Sequence, residues 1–137
     1  TPDLYRCGIN AIGVTDMEQL LQEYTRNASV FSSWDEEPFL EWGDMRTAEG
    51  RAYAEETSPL NYVDNIQAPL LILQGSNDYI VEAYHAEDLI DELKSKGKTY
   101  EAMFQKYEGH CVTYCGEKAS LEYLEIQEKF VDTYLKN

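Results

Sequence analysis

The sequence contains no long apolar run and few basic residues. Its 137 residues carry 11 lysines and arginines against 26 aspartates and glutamates, a formal net charge of −15. No apolar segment approaches the roughly 20 residues that a membrane-spanning helix requires, and a chain this acidic is repelled by nucleic acid and by anionic lipid. We therefore expect no nucleic acid and no membrane as partners. A solvated acidic surface explains the charge more simply than a cleft for basic peptides does.

Cysteine is also scarce. Cys7, Cys111 and Cys115 are an odd set, which argues against a complete disulfide framework. Cys7 lies in an apolar stretch and is expected to be a small buried hydrophobe. His110 with the two later cysteines could suggest a metal, but three ligands without a fourth nearby are weak support for tetrahedral zinc. A Cys111–Cys115 disulfide that stiffens the histidine loop is a better alternative, though not the leading one. We expect no metal and no cofactor.

The composition is sufficient for a folded core. With 43% hydrophobic and 12% aromatic residues, the chain falls within the size range of one domain and is not expected to be disordered. Strand-like segments within 5–14, 70–73 and 99–107 alternate with helix-like segments. This pattern is typical of an α/β fold with a parallel sheet of about three strands flanked by helices.

Capping signals and apolar periodicity predict the helices. Thr15 with Glu18 three residues on is a capping-box signature, and Gly97 is a natural helix stop. His85, among several carboxylates on one of these helices, is expected to be a surface histidine without a catalytic role. The helices are predicted over 15–27, 36–43, 47–56, 82–96 and 119–135.

The segment 29–58 is the least readable part of the chain. It holds large apolar side chains among many acids, and Trp34, Phe39 and Trp42 could line a substrate pocket. We favour the simpler interpretation that they pack this segment against the sheet, because aromatic residues dominate ordinary cores.

Residues 68–81, APLLILQGSNDYIV, join a buried strand to a polar turn. The apolar run 70–73 suits a strand that is buried on both faces, and the turn 75–78 follows at its carboxyl end. In open α/β sheets this edge is where catalytic groups collect. The next strand-like run is followed by EGH at 108–110, so an acid and a base are predicted side by side.

These two loops carry a family resemblance. GSND followed by YIV, and then EGH after the next strand, resemble the acid and histidine loops of an α/β-hydrolase. More narrowly, the chain resembles the C-terminal part of the catalytic domain of the prolyl oligopeptidase family of serine peptidases. The supporting segments lie at 2–16, 58–75 and 94–98. The resemblance covers nearly the whole chain and is weakest over 29–56.

The resemblance implies that Asp78 orients the imidazole and that His110 is the general base. A serine hydroxyl is a poor nucleophile until a base takes its proton, and a carboxylate on the far ring nitrogen fixes the tautomer of that base. Gly109 is expected to permit a tight turn that projects His110 into the cleft. Taken singly, an aspartate in an Asn-Asp turn and a loop histidine have ordinary structural explanations.

The nucleophilic serine is not expected within this sequence. α/β-Hydrolases place serine, acid and histidine in that order along the chain, with the serine in a G-x-S-x-G elbow, and no serine here has glycines at that spacing. We therefore expect residues 1–137 to form a single partial α/β-hydrolase domain with a helical insertion at about 29–58. Alone it is expected to be inactive, while its parent is expected to cleave short peptides through an acyl-enzyme.

Three positions depart from the family pattern. Gln74 stands where the family often has histidine, Glu82 where proline commonly follows the valine, and Cys111 where the family varies. These departures leave open a carboxylic ester hydrolase acting on a small ester instead of a peptide. A third alternative is a non-catalytic module of the same fold that serves in binding or assembly.

The first strand is the expected site of self-association. If the elements that precede it in the full fold are missing, the strand over 5–14 presents an unpaired edge, and such edges recruit partners. We expect a homo-oligomer through this edge.

Overall fold

The sheet consists of three parallel strands in the order β1, β2, β3. The computed structural model describes residues 3–26, 43–111 and 115–136. The strands are β1 (Gly8–Ala11), β2 (Leu70–Gly75) and β3 (Tyr100–Gln105), and the predicted parallel α/β arrangement is confirmed. The helices are α1 (Met17–Arg26), α2 (Ala48–Thr57), a 3₁₀ helix (Pro59–Asn65), α3 (Tyr84–Ser95) and α4 (Glu117–Leu135).

The central strand β2 is buried on both faces, as its apolar run predicts. Leu71, Ile72 and Leu73 are each at most 1% exposed. Alternate side chains point to opposite faces of a strand, so Leu71 and Leu73 share one face, where they form a cluster with Tyr123 and Phe130 of α4. Full burial of each such side chain contributes roughly 1.5–3 kcal/mol.

The predicted apolar stripes of the two later helices are also present. On α4, Ile126 and Tyr134 pack against the cluster that Tyr123 and Phe130 form with β2. The α3 helix contacts β2 and β3, and its buried side chains are Ala86, Leu89, Leu93 and His85. None of the helices in the described ranges is both long enough and apolar enough to cross a membrane.

The prediction that His85 lies at the surface is wrong. Its side chain is fully buried, and its ring lies 4.6 Å from the ring of Tyr84 between centroids. Positions 85, 89 and 93 are four residues apart and so share one face of α3. His85 therefore extends the stripe of Leu89 and Leu93 by one turn.

Residues 14–62 form a second compact unit, distinct from the unit of residues 1–13 and 63–137. Within it α1 contacts α2. The Ser58 hydroxyl joins the two helices, since it accepts a hydrogen bond from the Met17 amide at 2.9 Å and donates to the Ala54 carbonyl at 2.6 Å. Trp34, Phe39 and Trp42 lie outside the described residues, as does the helix predicted over 36–43 except for its last residue. The α2 helix matches the helix predicted over 47–56.

The α1 helix begins one residue later than its predicted capping box. Asp16, not Thr15, is the N-cap: its Oδ1 accepts from the Gln19 amide at 3.0 Å, and Gln19 Nε2 donates back to Oδ2 at 3.1 Å. Thr15 is buried, and its carbonyl accepts from the Leu60 amide. An aspartate caps as well as a threonine does, but the capping-box pattern indicated only Thr15.

We predict that Asp16→Ala lowers the free energy of unfolding by about 1 kcal/mol, because it removes the acceptor for an unpaired amide of the first turn. Glu18→Ala is the matched control. Glu18 is exposed and accepts only from Gln22 among the hydrogen bonds described for it, so its loss is expected to change stability by less than about 0.5 kcal/mol. Urea denaturation of both variants measures the difference; equal losses would contradict the assignment of the cap.

Candidate active site

A buried carboxylate lies in the turn that follows β2. The Asp78 side chain has no solvent exposure, and its Oδ1 accepts from the backbone amides of Ile80 at 2.9 Å and Val81 at 3.0 Å. A buried charge is tolerated only where its oxygens are hydrogen-bonded. The aspartate therefore shapes the turn around itself and leaves Oδ2 for other donors.

The structure places His110 against the free oxygen of this carboxylate. His110 Nδ1 lies 2.8 Å from Asp78 Oδ2, and the imidazole is 31% exposed. With Asp78 ionised, its Oδ2 is an acceptor only, so the Nδ1 of a neutral ring carries the proton. The lone pair of Nε2 is then available to take a proton from a hydroxyl.

Close backbone contact brings the two loops together. The Asn77 amide donates to the Glu108 carbonyl at 2.9 Å. A Cβ atom on Gly75 would lie 2.2 Å from the Gly109 carbonyl oxygen and 2.6 Å from that of Glu108, far inside van der Waals contact. Only glycine fits at the end of β2, because the histidine loop passes directly over it.

The role predicted for Gly109 is wrong. Among the described residues, a Cβ atom there would meet only the Asn77 carbonyl oxygen, at 3.7 Å, and the φ of Gly109 is not positive. The left-handed residue of this loop is Tyr107, with φ of 72°. The glycine that the site needs is therefore Gly75, which the sequence pattern assigned only to an ordinary turn.

Gln74 and Tyr123 lie next to Asp78 or to each other in ways that the sequence did not predict; Gln74 was noted only as a departure from the family pattern. Gln74 is 1% exposed, and its side-chain amide lies among acceptors that include Asp78 Oδ2 at 3.4 Å. The Tyr123 hydroxyl donates to the Gln74 carbonyl at 3.0 Å. Burial, together with the negative charges of Glu108 and Asp78, raises the pKa of Tyr123 to about 12. The hydroxyl consequently stays a donor throughout the neutral range.

The cysteines beside His110 form a disulfide, Cys111–Cys115, with Cα atoms 5.5 Å apart. Cys115 packs against the core cluster of β2 and α4, and Cys7 is free and contacts the same cluster. The Glu108 carboxylate and the two sulfurs lie within 4.8 Å of one another. Metal ligation uses thiolates, and sulfurs bonded to each other are not in that form.

We predict that Gly75→Ala destabilises the protein by about 1–3 kcal/mol, because the added methyl must push the histidine loop away from β2. Gly109→Ala lies at the residue whose carbonyl oxygen makes this contact, but a Cβ atom on Gly109 itself has room. It is expected to change the free energy of unfolding by less than about 1 kcal/mol. Urea denaturation of the pair checks this. A tolerated Gly75→Ala would contradict the close approach of the loops.

The sequence of this chain is similar to those of known peptidases. The family model described as the prolyl oligopeptidase family matches residues 1–137. The chain is 31% identical over 110 residues to dipeptidyl aminopeptidase BIII of Pseudoxanthomonas mexicana, covering 80% of this chain and 16% of that protein. It is 26% identical over 112 residues to dipeptidyl peptidase family member 6 of Caenorhabditis elegans, covering 82% of this chain and 15% of that protein.

Solved structures show the same fold. A puromycin-hydrolyzing peptidase of Mycobacterium tuberculosis superposes with a TM-score of 0.76 at 25% identity, covering 94% of this chain and 18% of that chain. An acylaminoacyl peptidase of Pyrococcus horikoshii superposes with a TM-score of 0.74 at 21% identity, covering 98% and 21%. The sequence thus spans about a fifth or less of the length of these proteins. Since the family match extends from the first residue to the last, the chain belongs to the prolyl oligopeptidase family.

Proposed function

We propose that this chain supplies the acid and the base of the catalytic triad of a serine peptidase, with Asp78 as the acid and His110 as the base. The observation that carries the proposal is the 2.8 Å contact between His110 Nδ1 and the buried Asp78 carboxylate. The nucleophilic serine lies outside this sequence, because no serine here stands in a G-x-S-x-G elbow.

The geometry suits a two-step acyl transfer. His110 Nε2 takes the proton of the serine Oγ as that oxygen attacks the peptide carbonyl, and then gives it to the departing amine. In the second step it takes a proton from the water that attacks the acyl-enzyme, and returns that proton to the serine Oγ as the bond between the acyl group and Oγ breaks. Asp78 stays ionised throughout, holds the proton on Nδ1 and stabilises the imidazolium that forms in each step.

Short peptides are the proposed substrates. The relatives named above are a dipeptidyl aminopeptidase, a dipeptidyl peptidase family member and an acylaminoacyl peptidase, and each of these names is that of a peptidase. An ester hydrolase would use the same acid and base, so turnover of matched peptide and ester substrates distinguishes the two. A non-catalytic module would turn over neither.

We predict that Asp78→Asn lowers kcat of the full-length protein by roughly 10³–10⁴-fold, because the amide stabilises the wrong tautomer of His110. His110→Ala is expected to abolish labelling by a serine-directed phosphonate. Asp91→Asn, at an exposed acid of α3, is the control and is expected to retain full activity. Unchanged kcat in Asp78→Asn would remove the basis of the proposed triad.

We also propose that the 137-residue chain by itself associates with a second copy through β1. The Gly8 amide donates to the Pro69 carbonyl, just before β2, and the Ile12 amide donates to the Leu73 carbonyl of β2. By strand alternation, the amides of Ile9 and Ala11 face the opposite edge. Among the described strands, none pairs with that edge. Unpaired edges recruit further strands.

Sedimentation over a concentration series tests this association. Ile9→Lys places a charge on the edge strand and is expected to give monomers. Leu121→Lys, at an exposed position of α4, is expected to leave the association unchanged. A monodisperse monomer for the unmodified chain would contradict the proposal.

A further inference from the structure

We propose that Gln74 is a positioning residue, which holds the Asp78 turn on the end of β2 so that the carboxylate faces His110. The inference rests on the proposed function, because it concerns the same acid and base. It assigns a role to a side chain that acts on His110 through Asp78.

The Gln74 amide nitrogen lies within reach of three acceptors. They are the Val81 carbonyl at 3.0 Å, the Gly75 carbonyl at 3.3 Å and Asp78 Oδ2 at 3.4 Å. Each of them is an oxygen that accepts only, so the chemistry requires the nitrogen, not the oxygen, of the amide at this place. The two hydrogens of this nitrogen serve three acceptors, of which the Val81 carbonyl is the nearest.

These bonds fasten the turn at both of its ends. Val81 donates its amide hydrogen to Asp78 Oδ1 at 3.0 Å and offers its carbonyl to Gln74. Both polar backbone groups of Val81 are thereby used to hold the carboxylate against β2. Because Gln74 is buried, water cannot readily replace its amide if the side chain is shortened or made apolar.

Gln74 is itself held in place. Its backbone lies in β2, in register with Phe104 of β3, and its carbonyl accepts from the Tyr123 hydroxyl of α4 at 3.0 Å. Gln74 therefore links Asp78 both to the sheet, through its place in β2, and to α4, through the Tyr123 hydroxyl. Although Asp78 lies in a loop, its side chain is held in place by groups that belong to the core.

A neutral donor is the suitable side chain for this role. An ionised acid at position 74 would repel Asp78, and a cation would compete with the imidazolium for the carboxylate. The amide does neither, since its 3.4 Å contact with Oδ2 is longer than the 2.8 Å contact of His110 with the same oxygen. His110 remains the principal partner.

Steady-state kinetics of the full-length protein test the role. Gln74→Met keeps the length of the side chain and removes its donor; we expect kcat to fall roughly 10- to 100-fold with KM unchanged, as misplacement of a catalytic group does. Gln74→His restores a ring N–H at a similar distance from Cα and is expected to recover much of kcat. Concentrations are normalised by phosphonate titration, so that misfolded molecules do not count.

Gln105→Met is the matched control. Gln105 is also a buried glutamine at the end of a strand, but its side chain donates to Glu122. This variant loses a comparable hydrogen bond and is expected to keep kcat. If Gln74→Met proves insoluble, Gln74→Asn, whose amide is one methylene short, takes its place with the same expected loss.

Two failures are distinguishable. If Asp78→Asn is inactive while Gln74→Met and Gln105→Met have equal kcat, the positioning role is overturned and the proposed function stands. If Asp78→Asn retains full kcat, the proposed function fails and the positioning role fails with it. A fall of kcat in Gln74→Met together with recovery of kcat in Gln74→His supports both the proposed function and the positioning role.

Discussion

The burial of one carboxylate constrains the whole edge of the sheet. Moving an ionised aspartate out of water is costly unless each oxygen finds a donor. For Asp78 the donors are two amides of its own turn, the imidazole of the next loop and the amide of Gln74. Because the imidazole is the shortest contact of Oδ2, holding this carboxylate in the interior draws the next loop within 3 Å of it. The proximity of acid and base is thus also a structural requirement.

The parallel sheet makes this proximity available at little conformational cost. Since β2 and β3 are neighbours and run in the same direction, their carboxyl ends open onto the same edge. Residue for residue the pairing brings Gly75 opposite Gln105, and the loop after β3 then crosses over Gly75. The absence of a side chain at Gly75 sets how closely the two loops approach.

The sequence predicted the buried strand, the apolar face of α4 and the adjacency of the two loops, because apolar periodicity and the order of strands and helices determine these features. The apolar run of β2 and the apolar side chains on one face of α4 directly indicate which side chains are buried. The alternation of strands and helices implies that successive loops lie next to each other at the carboxyl edge of the sheet. That reasoning, joined to a family resemblance, predicted that Asp78 and His110 lie side by side, and the 2.8 Å contact between them agrees with it. Contacts made only in three dimensions were out of its reach. Nothing local to Gln74 indicates which oxygens surround its amide, and the need for glycine at position 75 arises from a loop more than thirty residues away.

The errors have similar causes. His85 was assigned to the surface from its acidic neighbours in sequence, although helical spacing placed it in line with Leu89 and Leu93. For α1, two adjacent residues could each cap the helix, and only the hydrogen bonds to Gln19 separate Asp16 from Thr15. In both cases the answer depended on which side chains face the core: His85 and Thr15 are buried, whereas Asp16 is free to cap the helix.

The disulfide after His110 completes a closed ring of covalent and hydrogen bonds. From His110 the chain passes through Cys111, across the sulfur bridge to Cys115 and into α4; from α4 the Tyr123 hydroxyl reaches Gln74, and Gln74 reaches Asp78, which returns to the imidazole. A ring of bonds has fewer independent motions than an open chain of the same length. Acid and base can therefore shift together as one body more easily than they can shift against each other, and any outside group that meets them encounters a pair with a fixed internal spacing.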